Sequence, residues 1–304
     1  MHRFLALLPL VCGCLVAHEE PAVRGLPRDD RAAPLSAVWV GHATVLLRIG
    51  NRTVLTDPNL GGAILTMPRE TPASLRPSEL PRVDVAVISH MHMDHFDAAT
   101  VRKLGRYTAV FFPDGGQAYA DEILQPRKRP LKTWDSVEIS GLTITAVPAR
   151  HQGGRYGIDT LWNHASTGYV IEGAGRRVYF AGDTGYDPRM FREIGARFLG
   201  IDLAFIPIAP ARPGRKSDRW GHASPEEALD IFRDVGAAAM VPIHFEAYYS
   251  RGSDHGAPRR RLLAEVERRG LSSRVFALRT GERIALGDGA PRILGEDGPQ
   301  VAGR

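Results

Sequence analysis

Short apolar runs separated by polar turns follow one another along most of this chain, and they predict a series of β-strands. The first runs lie at residues 37–40, 45–49 and 53–55, and Gly50-Asn51-Arg52 between the last two is typical of a hairpin turn. Further strands are predicted at residues 83–88, 109–113, 142–147, 177–179 and 241–243.

Helix signals occur between these runs. Residues 97–104 have an acidic start and a basic end, and residues 116–124 predict a second helix. Ser224 to Glu227 form a capping box with proline at the first helical position, so a helix is expected to continue to about Val235. Residues 258–269 predict a last, amphipathic helix. Strands that alternate with helices in this way predict an α/β domain.

A cluster of histidines directly follows the run at 83–88. Ser89-His90-Met91-His92-Met93-Asp94-His95 brings three imidazoles and one carboxylate into six residues. These are the ligands that zinc prefers when no thiolate is available. Because a strand end followed by a turn lets His90 and His92 point one way and Asp94 and His95 another, the motif predicts two metals. Stray histidines come singly, so a merely polar turn is the weaker interpretation.

This motif resembles that of the metallo-β-lactamase superfamily, whose members bind one or two metals at the edge of an αβ/βα sandwich. The resemblance implies an α/β fold here, an αββα four-layer sandwich. It also implies three further ligands at strand ends, and His151, Asp183 and His244 match them in order. The implied metal sets are His90, His92 and His151 for one ion and Asp94, His95 and His244 for the other, with Asp183 bridging.

Other segments are similar to the N-acyl phosphatidylethanolamine phospholipase D group of that superfamily, from about Val38 to Leu271. The similar segments are residues 42–46, 55–58, 80–81, 161–162, 180–186, 191–195, 202–208 and 222–228. They include His222, which matches a histidine that this group places near the metals as a catalytic or substrate-orienting residue. A polar residue that only flanks a helix is the alternative. Residues 209–214 and 245–249 depart from the group, which leaves the preference for headgroup or acyl chain open.

The ligand set implies a mechanism. A water between two zinc ions, or other divalent ions, acts as hydroxide, and the ions clamp the non-bridging oxygens of a phosphodiester. His222, or a water held by Asp94, gives the leaving alkoxide its proton. The expected function is that of a metal-dependent hydrolase, a phosphodiesterase of the phospholipase D type that acts on N-acyl phosphatidylethanolamine-like lipids.

Other activities of the superfamily are the alternatives. A sugar-phosphate lactonase, or another ester or lactone hydrolase, uses almost the same ligands. A classical β-lactamase of the common subclass needs a cysteine ligand, but both cysteines of this chain, Cys12 and Cys14, lie in the first residues. A diiron oxidoreductase of this fold normally has glutamate where His92 stands. An export signal argues against the lactonase, because sugar phosphates are cytoplasmic.

The composition agrees with an enzyme domain that has a large core. Of the 304 residues, 43% are hydrophobic and 24% are charged. The net charge of +5 is spread along the chain, which favours a solvated surface over a nucleic-acid groove. No nucleic-acid partner is therefore expected, and the resemblance implies a phospholipid or another small phosphodiester or ester as the partner.

The first residues are typical of a bacterial export signal. A short positive region precedes the apolar run from Phe4 to Val11, and Val11-Cys12-Gly13-Cys14 resembles a lipoprotein signal in which Cys14 becomes the lipid-modified first residue. A plain cleavable signal is the alternative. The expected location is the cell envelope, where the anchor holds a periplasm-facing domain at the membrane surface.

These signals divide the chain into four parts. They are an export signal at residues 1–14, a flexible tether at 15–36, the hydrolase domain at 37–286 and a loose tail at 287–304. Two features keep two interpretations each. His42 is either a residue that supports the metals or the substrate, or a structural histidine with satisfied hydrogen bonds. The loop at 59–82 either serves the site or is an ordinary surface connection.

Overall fold

The computed structural model describes residues 20–27, 32–156, 158–210, 221–248, 254–295 and 298–301. Two β-sheets pack face to face, and helices lie on their outer faces. The layers therefore follow the order α, β, β, α, and the αββα sandwich expected from the sequence is confirmed.

The larger sheet has nine strands. In spatial order they are β17 (Gly298–Val301), β16 (Arg292–Gly295), β15 (Arg283–Leu286), β1 (Leu35–Gly41), β2 (Thr44–Ile49), β3 (Arg52–Thr56), β6 (Val85–Val87), β7 (Ala109–Pro113) and β8 (Lys128–Leu131). The strands from β3 to β8 in this order pair in parallel, and the other pairs are antiparallel.

The smaller sheet has six strands. In spatial order they are β14 (Ala239–Ile243), β13 (Leu203–Pro207), β12 (Arg176–Phe180), β11 (Thr167–Gly173), β10 (Leu142–Pro148) and β9 (Ser136–Ile139). Strands β12, β13 and β14 pair in parallel. A separate hairpin of two short strands, β4 (Ala63–Ile64) and β5 (Met67–Pro68), lies in the connection between β3 and β6.

Four α-helices are present in the described residues. They are α1 (Ala98–Lys103), α2 (Pro188–Arg197), α3 (Pro225–Asp234) and α4 (Ala257–Arg268). The predicted capping box opens α3, where the Glu227 amide donates to Ser224 Oγ and the Ser224 amide donates to Glu227 Oε2. The helix expected at residues 116–124 is instead a 3-10 helix at Gln117–Glu122. No described helix combines the length and the apolar character that crossing a bilayer requires.

The core lies on both faces of the larger sheet. Along β1, Leu35 and Trp39 belong to the cluster shared with the smaller sheet, whereas Val38 and Val40 pack with Val101 of α1. This alternation follows the two-residue period of a strand, and each large apolar side chain so buried contributes about 1.5–3 kcal/mol. The packing fixes the two sheets face to face, so their strand ends meet at common edges.

Some described residues of the expected tether and loose tail are bonded to the domain. Val23, within the expected tether, is 4% exposed, and its amide donates to the Thr280 carbonyl at 3.3 Å. Residues 287–304 were expected to be loose, but β16 pairs with β15 and β17 pairs with β16. The reason is that β15 would otherwise offer an unpaired edge, which short segments can cover through backbone hydrogen bonds alone.

Candidate metal centre

Seven histidine and aspartate side chains converge at one edge of the sandwich, each from a connection that follows a strand. They are His90, His92, Asp94 and His95 after β6, His151 after β10, Asp183 after β12 and His244 after β14. Strands β10, β12 and β14 point the same way in the smaller sheet, so their carboxyl ends share an edge. The structure thus brings together all the residues that the sequence suggests as metal ligands.

Three histidines, His90, His92 and His151, form what we term the first cluster. The Nδ1 atom of His92 is 2.8 Å from Nε2 of His90 and 3.3 Å from Nε2 of His151. Burial lowers the pKa of His151 to about 3 and holds the pKa of His90 well below its usual value. These imidazoles are therefore neutral at physiological pH and offer lone pairs to a metal ion.

Asp94, His95 and His244 form what we term the second cluster. The Oδ2 atom of Asp94 is 3.4 Å from Nε2 of His95 and 3.4 Å from Nε2 of His244. His95 is fully buried and His244 nearly so, whereas the Asp94 side chain is 26% exposed. This cluster combines two imidazoles and a carboxylate around a second position that can hold a metal ion.

Asp183 lies between the two clusters. Its Oδ2 atom is 3.3 Å from Nε2 of His95, 3.0 Å from Nε2 of His244 and 4.0 Å from Nε2 of His151. Burial by itself raises the pKa of Asp183, but the charges of His244 and His95 outweigh it and hold this pKa well below the usual range. The carboxylate is therefore ionised and faces both clusters at once.

Carboxylates give the second cluster a different charge state from the first. Burial acts to lower the pKa of His95, but three neighbouring carboxylates raise it well above its usual value. They belong to Asp183, Asp94 and Asp57. The pKa of His244 is also raised, because Asp183 and Asp94 outweigh the effect of its burial. Without a metal ion these two imidazoles hold protons that the first cluster has already released.

Asp57 is a site residue that the sequence analysis missed. It is fully buried, and its Oδ2 atom is 2.6 Å from Nδ1 of His95. Its carboxylate also accepts a hydrogen bond from the Ser89 amide at 2.6 Å and from Ser89 Oγ at 2.7 Å. The sequence did contain a signal, because Asp57 follows β3, the parallel neighbour of β6, and therefore reaches the same sheet edge.

Backbone strain gathers around this centre. His42, Asp57 and His244 have φ values of 55°, 33° and 64°, in the region that residues other than glycine adopt only sparsely. Gly182, which precedes Asp183, has φ 59°, and a Cβ atom there would lie 2.3 Å from the Cβ of Ser89. Only glycine allows the strand end that carries Asp183 to approach the histidine motif this closely.

The donor set fits metal ions. Oδ1 of Asp183 is buried and has no hydrogen-bond partner among the described residues, and Nε2 of His95 and of His244 lie 3.0–3.4 Å from carboxylate oxygens without a hydrogen bond of good geometry. Burying such polar atoms unpaired costs about 1–3 kcal/mol each, whereas a coordinated cation would satisfy them. The histidine and aspartate donors are also those of zinc and similar divalent ions.

His222 and His42 lie on either side of the clusters. Nε2 of His222 is 3.3 Å from Asp183 Oδ2, and this side chain is 16% exposed. Nε2 of His42 is 3.0 Å from Asp94 Oδ2, and burial lowers the pKa of His42 to about 3. Both histidines therefore contact the centre.

The 59–82 connection contacts the site near its start and is exposed to solvent at its hairpin. Asn59 Nδ2 donates to the carbonyl of Met93 at 3.1 Å, inside the histidine motif. The buried Arg69 donates to the carbonyl of Asn59 at 2.8 Å, and Leu65 in the hairpin between β4 and β5 is 79% exposed. The first part of this connection therefore supports the site, while the hairpin does not reach it through any described contact.

The same region matches a known family. A model described as the β-lactamase superfamily domain matches residues 52–245, which include the seven converging residues. The chain belongs to the metallo-β-lactamase superfamily. Together with the histidine and aspartate clusters, this membership makes the protein a metal-dependent hydrolase.

Curated relatives share this region. An uncharacterised protein of Mycobacterium tuberculosis (strain ATCC 25618 / H37Rv) is 37% identical over 252 residues, 78% of this chain and 65% of that protein. The N-acyl-phosphatidylethanolamine-hydrolyzing phospholipase D 1 of Caenorhabditis elegans is 31% identical over 254 residues, 74% of this chain and 68% of that protein. The chain thus spans just under two thirds of the length of the mycobacterial relative.

Solved structures share the fold. Igni18, a metallo-hydrolase from the archaeon Ignicoccus hospitalis, aligns with a TM-score of 0.60 and 20% identity over 84% of this chain and 99% of its own. At this identity the similarity establishes the metallo-β-lactamase fold, as the sequence implies.

Proposed function

We propose that this protein is a phosphodiesterase of the phospholipase D type that acts on N-acyl phosphatidylethanolamine-like lipids with two zinc ions. The observation that carries the proposal is the position of Asp183, whose carboxylate faces both clusters. The name of the Caenorhabditis elegans relative, an N-acyl-phosphatidylethanolamine-hydrolyzing phospholipase D, supports the same reaction. Sugar-phosphate lactones and other esters are the competing substrates.

The two clusters and Asp183 would hold the ions. His90, His92 and His151 offer three nitrogens to one ion, and the second cluster offers two nitrogens and a carboxylate oxygen to the other. Such ions supply a hydroxide nucleophile near neutral pH and neutralise charge on phosphoryl oxygens. Asp183 adds negative charge between them, which offsets the repulsion of two neighbouring cations.

His222 is the proposed proton donor to the leaving alkoxide. Its Nε2 atom lies beside Asp183, and its ring centroid is 4.9 Å from that of His151. Because the side chain is 16% exposed, it borders both the centre and the solvent. A water held by Asp94 is the other candidate donor. A general acid in this place contributes about 10²–10⁴-fold to the rate.

The experiment compares the wild type with His222→Ala on a mass-spectrometric panel of N-acyl and diacyl phospholipids, lactones and β-lactams. We expect phosphodiester turnover by the wild type, and about 10²–10⁴-fold less by the variant at unchanged metal content. His164→Ala is the matched control, because His164 is exposed and lies in a loop. Clear lactone opening, with phospholipid turnover no higher than that of metal-free protein, would favour the lactonase instead.

The location is part of the proposal. Cys14 lies outside the described residues, and we propose that it carries lipid and holds the domain at the envelope membrane, facing the periplasm. Cys14→Ser should then release the protein into the soluble fraction, which cell fractionation measures. Membrane association that does not change in this variant would contradict the anchor while leaving the reaction untouched.

A further inference from the structure

Four histidines of the clusters share a feature that fixes where their proton lies. In each, Nδ1 lies next to an acceptor. The pairs are His90 with Ser89 Oγ (3.0 Å), His95 with Asp57 Oδ2 (2.6 Å), His151 with the Gly221 carbonyl (3.2 Å) and His244 with the Ala209 carbonyl (2.8 Å). Ser89 Oγ accepts in its pair, because its own hydrogen is donated to Asp57. These acceptors place N–H on Nδ1, so the Nε2 lone pair is left for a metal ion.

His42 does not follow this pattern. It is 4% exposed, and its Nδ1 atom has no hydrogen-bond partner among the described residues. Its Nε2 atom instead lies 3.0 Å from Oδ2 of Asp94. A neutral imidazole has a single N–H, and here the only acceptor in the described surroundings faces Nε2. The proton therefore belongs on Nε2, the nitrogen that the four other histidines keep free.

We infer that His42 is a positioning residue of the second cluster: its Nε2–H donates to Asp94 Oδ2 and orients this carboxylate toward the second metal ion. The inference rests on the proposed two-metal centre and adds a residue to it. His42 does not itself bind the ion, because the nitrogen that faces the cluster carries the proton.

The geometry of Asp94 explains why it needs such support. Its Oδ2 atom lies 3.4 Å from Nε2 of both His95 and His244, so this is the oxygen that faces the second cluster. A carboxylate oxygen has two lone pairs, and one can accept from His42 while the other faces the cluster. The Asp94 side chain is 26% exposed and lies in a turn, so burial alone does not hold its orientation.

The backbone holds His42 in place for this role. Its carbonyl accepts hydrogen bonds from Trp39 Nε1 at 2.8 Å and from the His244 amide at 3.0 Å. Its φ of 55° is one that residues other than glycine rarely adopt. Such strain persists only where the surroundings enforce it. His42 is thus tied directly to the residue that carries one ligand of the second cluster while its side chain contacts another.

Two substitutions separate hydrogen bonding from packing. In His42→Gln the amide nitrogen can take the place of Nε2 and donate to Asp94, whereas in His42→Asn the shorter side chain cannot reach it. Asparagine tolerates a positive φ better than glutamine does, so folding strain favours the asparagine variant. If packing or strain were the only role of His42, the asparagine variant would be the less affected of the two.

Zinc binding to the metal-free full-length variants, measured by chelator competition, is the test. We expect His42→Asn to weaken the second equivalent about 10–100-fold, His42→Gln to recover most of that affinity, and the first equivalent to stay unchanged. In ¹⁵N-histidine-labelled zinc-bound protein, NMR should show the proton of His42 on Nε2.

Three results would overturn the inference. If the wild type, His42→Asn and His42→Gln bind the second equivalent with the same affinity, His42 has no positioning role, and the two-metal centre stays intact. A proton on Nδ1 of His42, with loss of the second ion in both variants, would make His42 a ligand instead. Wild-type protein that binds a single ion would remove the two-metal centre and this inference with it.

Discussion

The first and second clusters use the same kind of side chain but differ in the charge around them. In the first cluster burial dominates, so the pKa of His90 lies well below its usual value and the pKa of His151 is lowered to about 3. In the second cluster neighbouring carboxylates outweigh burial, and the pKa values of His95 and His244 are raised. Because His90 and His95 are equally buried, the neighbouring carboxylates decide which of the two imidazoles is charged.

This difference separates two ways of preparing a metal site. The first cluster offers free lone pairs at once, because burial already keeps His90 and His151 unprotonated. The second cluster holds protons between its imidazoles and carboxylates, and an incoming cation must displace them. Asp183 belongs to both arrangements, because it faces His151 on one side and His95 and His244 on the other.

Removing the shared carboxylate should have the largest effect. Asp183→Ala is expected to lose the second metal ion. The reason is that Asp183 Oδ2 lies 3.0–3.3 Å from His95 and His244 of the second cluster but 4.0 Å from His151, so the first cluster keeps its ion on three histidines. Turnover should fall on the order of 10³-fold, because a catalytic metal supplies several kcal/mol of transition-state stabilisation. Elemental analysis of undialysed protein, together with turnover, measures both effects.

Asp202→Ala is the control for this change, because Asp202 pairs with Arg176 at 2.9 Å and is not a member of either cluster. Two equivalents of metal and full activity in Asp183→Ala would contradict the bridging role. One equivalent or fewer in fully active wild-type protein would remove the two-metal mechanism altogether.

Acidification should separate the clusters next. Raised pKa values mean that His95 and His244 bind protons at higher pH than usual, so affinity for the second ion falls as pH falls through those values. The slope is about tenfold per pH unit for each displaced proton. The lowered pKa values of the first cluster keep it free of protons over the same range. The second ion should therefore leave first as the pH falls below about 6.5, the ordinary pKa of histidine.

Calorimetric titration with zinc, in buffers of different ionisation enthalpy, counts the protons released with each ion. We expect release mainly with the weaker equivalent. Equal release and equal pH slopes for both equivalents would show that the charge difference between the clusters does not govern metal binding.

Much of this centre could be predicted from the sequence because one rule located it. Each candidate ligand follows a segment with a strand pattern, and the carboxyl ends of parallel strands meet at one edge. Asp57 obeys the same rule after β3, yet it enters the sequence analysis only within the similar segment at residues 55–58, without a role at the metals. An aspartate between a strand and Pro58 looks like an ordinary turn residue until β3 and β6 are known to be neighbours.

The orientation of the histidines could not be predicted. Two of the acceptors that fix Nδ1, at Gly221 and Ala209, are backbone carbonyls, and a carbonyl has no side-chain signature in the sequence. The strands beyond residue 286 were missed for a similar reason, because their pairing depends on the free edge of β15 and not on a pattern of their own. Backbone hydrogen bonds formed at long range thus account for both gaps.

The smallest effect should come from Asp57, and it should fall on one cluster only. Asp57→Asn removes the charge that faces Nδ1 of His95 but keeps a polar side chain of the same size. A carboxylate behind a ligating histidine typically contributes about 10–100-fold to metal affinity, so the second equivalent should weaken by that factor while the first does not change.

Ser89→Ala is the matched comparison, because Ser89 Oγ contacts both Asp57 and Nδ1 of His90. It should weaken both equivalents slightly, since the Ser89 amide still donates to Asp57. Chelator competition on the two variants resolves the equivalents. If Asp57→Asn weakens both ions equally, the carboxylate acts on the whole sheet edge and the two clusters are not independent.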